Sequence, residues 1–216
     1  MDPINKVNLE RLTNGIYAFT MTLMVRNIQA PLAGTITDDL SFAKYLVSTI
    51  LSVTDFIGAF IILAMFWLFY FQMFHRMKTF DRRFIYLHLL SLMVVVFVPF
   101  TNSFAAQSDE VPASNILFQI NYLVLAILLT WQWHHARSHP ALLEPELRAA
   151  EASFLAKKFL VPLGVGIFGI IMICAGAGYI DLLYLLPFMI LLVCFRHPPE
   201  EEPPGVGVAG GGTRPE

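Results

Sequence analysis

The sequence predicts an all-α membrane protein with six transmembrane helices. Three observations carry that prediction. Hydrophobic residues make up 56% of the 216-residue chain and charged residues only 14%, where a soluble domain carries about a quarter charged. The apolar residues fall into runs of about the 20 residues that a bilayer core requires of a helix. Lys and Arg concentrate in alternate connections between those runs, the asymmetry that orients membrane proteins.

The runs cover roughly 10–29, 46–74, 83–104, 115–134, 157–176 and 179–195. The first is the least hydrophobic, and it lacks the basic start and small-residue cleavage site of a signal peptide. The second is long enough to protrude as helix beyond the membrane. After it comes HRMKTFDRR, with Arg76, Lys78, Arg82 and Arg83. The third run leads into NSFAAQSDEVPASN, which has no basic residue. The fourth is followed by Arg137, Arg148, Lys157 and Lys158. AGAGYID, between the fifth and sixth runs, has no basic residue, and Arg196 opens the tail. This alternation predicts that both termini are cytoplasmic. Residues 1–197 read as one transmembrane domain. Residues 198–216, rich in Pro, Gly and Glu, read as a disordered tail with almost nothing to bury.

Several function classes are disfavoured. A net charge of -2 gives no basic footprint for nucleic acid. No G-x-S-x-G, H-E-x-x-H or paired carboxylates at membrane depth point to an enzyme, and no ligand cluster calls for a metal or other cofactor. Cys174 and Cys194 sit in apolar runs without ligand spacing and read as packing residues rather than a disulfide. His134, His135 and His139 precede Pro140 with no carboxylate among them, which reads as an interfacial cluster rather than a metal site. A pH-sensing role near neutrality stays open for them. Asp55 lies within the second apolar run and reads equally as packing on a polar partner or as lining a vestibule. AGAGYID does not fit a carbonyl selectivity filter: no Thr-Val precedes it and Ile180 stands where a second glycine belongs. A secondary transporter would need internally repeated, broken helices. Pro162, Gly164, Gly166 and Gly169 offer one break in the fifth run, with no counterpart in the first three.

The first run, containing NGIYAFTMTLMVRNI, carries the unusual polar groups. At helical spacing Gly15, Phe19, Thr22 and Arg26 share one stripe, which Asn8 and Leu12 extend backwards. Thr13, Thr20 and Asn27 form a second polar line. A single Thr is ordinary in a membrane helix, since its hydroxyl bonds back to a carbonyl one turn earlier. So many polar groups on one short helix point to a bundle interior or a water-filled path.

The segment LTNGIYAFTMTLMVRNI resembles the first helix of the TMEM175 family of potassium channels, whose repeats open with R-x-x-x-F-S-D and a stretch like GVFAIAITLLVLEI. FWLFYFQMFHRM (66–77) looks like the family's Y-W-x-x-H-H-x-x-F segment. FDRRFIYLHLLSLMVVVFVPFTNSF (80–104) resembles its aspartate, N-L-L-x-L run and late Pro-Phe. Six spans is the family's repeat size. The pattern departs in places. Leu12-Thr13-Asn14 stands for Phe-Ser-Asp and Asn8 for the arginine, with Arg11 one turn away as a substitute. Tyr70 and Phe71 replace two histidines, and His88 replaces an asparagine. In the family the motif forms a polar network tying the first helix to its neighbours. Thr13 and Asn14 retain hydrogen-bonding capacity there, in a network without the carboxylate.

The resemblance implies a homotetramer in a prokaryotic plasma membrane, potassium as the permeant species, and a pore lined by the first helix of each subunit. It places the constriction at Phe19, the next layer at Thr22 and the outermost layers at Leu23 or Arg26. Asp38 and Asp39 at the outer mouth would concentrate cations. Four arginines on the axis would instead favour anions, so Arg26 is expected to pair with Asp38 or Asp39, or to snorkel. A transporter, or a channel of different ion selectivity, is the alternative.

Overall fold

The computed structural model describes residues 6–28, 30–106 and 112–176. Among them it is all-helical. Helix α1 spans Lys6–Leu23 and runs into a 3-10 turn, Met24–Asn27; α2 spans Asp39–His75, α3 Arg82–Ala106, α4 Pro112–Ser138 and α5 Ala149–Cys174. Each of the first five expected runs falls on a helix. The sixth (179–195), Cys194 and the tail 198–216 lie outside the described residues. Four helices, α2 to α5, are long and apolar enough to cross a membrane; α1 is not among them. Its 18 residues extend roughly 27 Å, and the 3-10 turn continues it toward bilayer thickness.

The boundaries follow local chemistry. α2 begins seven residues before the expected apolar run because Asp38 and Ser41 form a capping box: Ser41 N–H donates to Asp38 Oδ1 at 2.9 Å and Asp38 N–H to Ser41 Oγ at 3.1 Å. Hydrogen bonding from Ser41, its side chain first and then its N–H, holds the Asp38 carboxyl below its ordinary pKa. Gly34, at φ 85°, takes the left-handed turn that precedes this start. α5 begins at Ala149, eight residues before the expected run, with Glu151 in its first turn ion-paired to Arg76 at the end of α2 (2.6 Å).

The most extensive packing is of α4 against α3 and against α5, with α1 leaning on α3 and α2. α2 is fully buried only from Ala59 onward; its first half is exposed or half-buried, with Asp55 half-buried along it. Polar and small residues set the close approaches. On α5, Gly166 and Gly169 meet Gln119 of α4. The Gln119 amide donates to the Gly166 carbonyl at 2.7 Å, and a Cβ added at Gly169 would stand 2.2 Å from Gln119 Nε2. Glycine is required there by proximity. α5 passes through Pro162 and these glycines as one helix, so they serve packing and make no break of the transporter kind. On α3, Pro99 removes one backbone donor, and Asn121 of α4 enters beside it. With its amide oriented by the surrounding network, Asn121 donates to the Val94 carbonyl and accepts from Val98 N–H, both at 3.2 Å.

At one end of the bundle the two basic connections are stitched together. Met77 and Leu143 form an isolated antiparallel bridge, Lys78 N–H donates to the Leu142 carbonyl at 2.8 Å, and Glu144 N–H to the Arg76 carbonyl at 3.1 Å. The start of α1 is tied to the same plate through Lys6, which donates to the Met77 carbonyl and lies 4.0 Å from Glu144.

Candidate functional site

The two polar lines of α1 part company in the structure. Leu9, Thr13, Tyr17 and Thr20 of the helix, with Met24 beyond it, are buried and form its inward face. Asn8, Arg11, Leu12, Gly15, Phe19, Thr22 and Arg26 are exposed on the opposite side, and Asn14 is exposed at the flank toward α2. The line Thr13–Thr20 therefore belongs to the bundle interior, whereas the stripe Gly15–Phe19–Thr22–Arg26 faces outward.

The inward face reaches a buried polar network contributed by four helices. Thr13 Oγ1 bonds back to the Leu9 carbonyl at 2.8 Å and meets His88 Nε2 of α3 at 2.7 Å. His88 Nδ1 is 3.2 Å from Gln132 Oε1 of α4. The Gln132 amide in turn donates to Ser91 Oγ of α3 at 2.7 Å and to the Tyr70 hydroxyl of α2 at 3.1 Å. Thr13, His88, Ser91, Tyr70 and Gln132 are buried essentially completely. The Tyr70 and Phe74 rings close on the imidazole edge-to-face at 4.8 and 4.9 Å. No carboxylate, Lys or Arg belongs to this network, so its directional hydrogen bonds set how α1 seats against α2, α3 and α4. His88 and Tyr70 were singled out in the sequence only as departures from a pattern. Gln132 was missed; its signal was an amide inside an apolar run, four residues from Leu128, whose carbonyl it also contacts.

Asn14 leaves the network and turns to α2, where its Oδ1 accepts the Trp67 indole N–H at 2.8 Å. Thr13 and Asn14 thus each hold a different neighbouring helix. Asn8, Arg11 and Leu12 are exposed and lie outside this network.

On the outward face Phe19 is 61% exposed, and Gly15 has nothing within 4 Å of an added Cβ. Thr22 donates its hydroxyl to the Phe19 carbonyl at 2.7 Å, which leaves its oxygen lone pairs free to accept or to coordinate a cation. Leu23 is half-buried, so it is less outward than Phe19 and Thr22. Arg26 is exposed, and among the described residues it makes no ion pair with Asp38 or Asp39. The expected pairing is therefore absent among the described residues: Asp38 is engaged in capping α2, where its Oδ1 accepts from Ser41 N–H.

Two further expectations are corrected. His135 does have a carboxylate partner: Asp81, from the connection before α3, lies 2.9 Å from His135 Nε2. Burial pushes the Asp81 carboxyl up, but the Phe84 N–H and the neighbouring histidines outweigh it and hold the group below its ordinary value. The pair joins α4 to the start of α3; among the described residues no three potential ligands converge as a metal site. Cys174, read from the sequence as a packing residue, is exposed at the end of α5 among the described residues.

The sequence resemblance is confirmed by comparison with known proteins. The TMEM175 family model, described as endosomal/lysosomal potassium channel TMEM175, matches residues 8–99, which span α1, α2 and most of α3. A potassium channel of Streptomyces collinus is 29% identical over 176 residues, covering 74% of this chain and 80% of the relative. A potassium channel of Chamaesiphon minutus is 25% identical over 154 residues, covering 70% and 75%. The fold is that of the crystal structure of a lysosomal potassium-selective channel TMEM175 homolog from Chamaesiphon minutus. That comparison gives a TM-score of 0.71 at 20% identity over 87% of this chain and 96% of that one. The matching family is one of ion channels and not of enzymes.

Proposed function

We propose, with this kinship to the TMEM175 potassium channels as premise, that the chain is one subunit of a potassium-permeable channel. In this reading six spans make the subunit, both termini are cytoplasmic, and four copies close around an axis in a prokaryotic plasma membrane. The outward stripe of α1 lines the pore. The observation that carries the reading is the composition of that stripe. A helix face open to lipid is apolar, yet this one mixes Asn8, Arg11, Gly15, Thr22 and Arg26 with Phe19 and Leu12, all exposed in the single chain.

The mechanism follows from those side chains. A ring of Phe19 makes a dry constriction, and an ion crossing it sheds part of its hydration. Potassium holds water less tightly than sodium or calcium, so dehydration favours it. Thr22, one helical turn away, returns an oxygen ligand through the lone pairs left free by its back-bond. Leu23 flanks that layer, and Arg26 stands at the outer end. Asp38 and Asp39, exposed at the start of α2, raise local cation concentration there.

One observation supports a second reading. Arg26 is exposed and has no ion-pair partner among the described residues, and a ring of such guanidinium groups on the axis would select anions. Reversal potentials of the reconstituted protein under potassium, sodium and chloride gradients decide between them. The potassium reading expects a reversal potential near the potassium equilibrium value and a weakened potassium-over-sodium preference in Phe19→Ala. Chloride-following potentials would replace it with an anion channel, and slow, gradient-coupled turnover with a transporter.

A further inference from the structure

The pore reading leaves one open-sided space beside α1 unused. Between the start of α1 and the end of α2 lies a cavity of about 170 Å³. Trp67, Phe71 and Phe74 of α2 form its aromatic side, and Lys6, Glu10 and His75 are its ionisable groups. The aromatic side is fixed: the Trp67 indole N–H is held by Asn14 at 2.8 Å, and its ring lies 5.9 Å from that of Phe71. With that N–H occupied, the indole has only π surface to offer a guest. The charges are unequal in their commitments. Lys6 is drawn to the connecting plate, where it donates to the Met77 carbonyl and meets Glu144. Glu10 is half-buried and makes no hydrogen bond or ion pair among the described residues. A carboxylate that shares a cavity with aromatic rings is the chemistry that recognises an organic cation.

We propose that this cavity binds an organic ammonium group, held electrostatically by Glu10 and by cation–π contact with Trp67 and Phe71. Size agrees: an apolar protein cavity of about 150 Å³ accommodates benzene, and a trimethylammonium head is of similar bulk. Position agrees as well. The cavity lies at the bundle end that carries Arg76, Lys78, Arg82 and Arg83, where a membrane–water boundary is expected. The guest is therefore either the ammonium headgroup of a phospholipid or a free organic cation.

Calorimetric titration of the full chain with choline chloride tests the site, in nanodiscs of pure phosphatidylglycerol. Saturable binding is expected, at least fivefold weaker in Glu10→Gln and at least fivefold weaker for 3,3-dimethyl-1-butanol, the uncharged isostere. If Glu10→Gln does not fold, Phe71→Leu takes its place with the same threshold. No saturable heat with the parent protein, or a loss smaller than fivefold in the variant or with the isostere, overturns the proposal. Repetition in phosphatidylcholine nanodiscs identifies the source. Choline binding weakened at least fivefold there means that the lipid headgroup occupies the site, and unchanged binding means a free cation does.

Discussion

The outward faces of α1 and α3 differ sharply, although both helices contribute to the same buried network. Beyond Tyr86, α3 turns Leu89, Leu90, Met93, Val96, Phe97, Phe100 and Phe104 outward and keeps His88, Ser91, Thr101 and Asn102 inside. That is how a helix meets lipid: polar groups inward, hydrocarbon outward. α1 also turns Thr13 and Thr20 inward, yet its outer side keeps Asn8, Arg11, Thr22 and Arg26 beside Phe19. The difference teaches that exposure alone does not identify a lipid surface. Phe19 and Phe97 are similarly exposed, at 61% and 55%, and only their neighbours tell them apart.

The shared interior is where the two helices should break together. His88→Ala removes the imidazole that links Thr13 to Gln132 and leaves a cavity beneath Tyr70 and Phe74. A loss of about 3 kcal/mol is expected in unfolding measured in detergent, from cavity and orphaned polar groups together. A small effect would mean that α1 is not seated by this network.

Glycines give the next contrast. Gly169→Ala drives a methyl into Gln119 and is expected to cost about 1–3 kcal/mol in the same assay. Gly15→Ala meets open space in the single chain and should not destabilise it. On the proposed pore axis, however, it should change assembly on a sizing column or potassium flux. A silent Gly15→Ala would weaken the distinction between the two outward faces.

Phe19→Ala and Phe97→Ala should each alter unfolding by less than about 0.5 kcal/mol, since neither ring is packed within the chain. Only the first should change the potassium-over-sodium permeability ratio. The smallest expected effect concerns how α3 starts. Asp81 caps the helix through Phe84 N–H at 3.0 Å and pairs with His135. Its folded pKa lies below the ordinary 3.8, so its contribution is complete above that pH and fades as pH falls through the folded value. Acid unfolding of Asp81→Asn should lack this component, while α1, whose start is held by Lys6, should respond to Lys6→Met at neutral pH instead.

Hydrophobic runs made the helices legible, because a bilayer imposes one length on every span. The boundaries were less so. α2 and α5 begin well before their apolar runs, since a capping box at Asp38 and an ion pair at Glu151 extend helix into polar sequence. Within α1 the spacing separated the stripe Gly15–Phe19–Thr22–Arg26 from the line Thr13–Thr20, but not which of the two faced inward. That choice rests on residues distant in sequence, His88 and Gln132, whose convergence no local pattern encodes. The pairing of Asp81 escaped for the same reason: its partner His135 lies 54 residues away.

The most direct test places a cysteine at Phe19 in a background with Cys174 and Cys194 replaced by serine, and a second at Phe97 as the lipid-facing comparison. Potassium efflux from proteoliposomes is followed while a charged, membrane-impermeant methanethiosulfonate is added. Efflux blocked through position 19 and unaffected through position 97 is the predicted result. Equal indifference at both positions, with labelling at 19 verified by mass, would contradict a pore lined by α1.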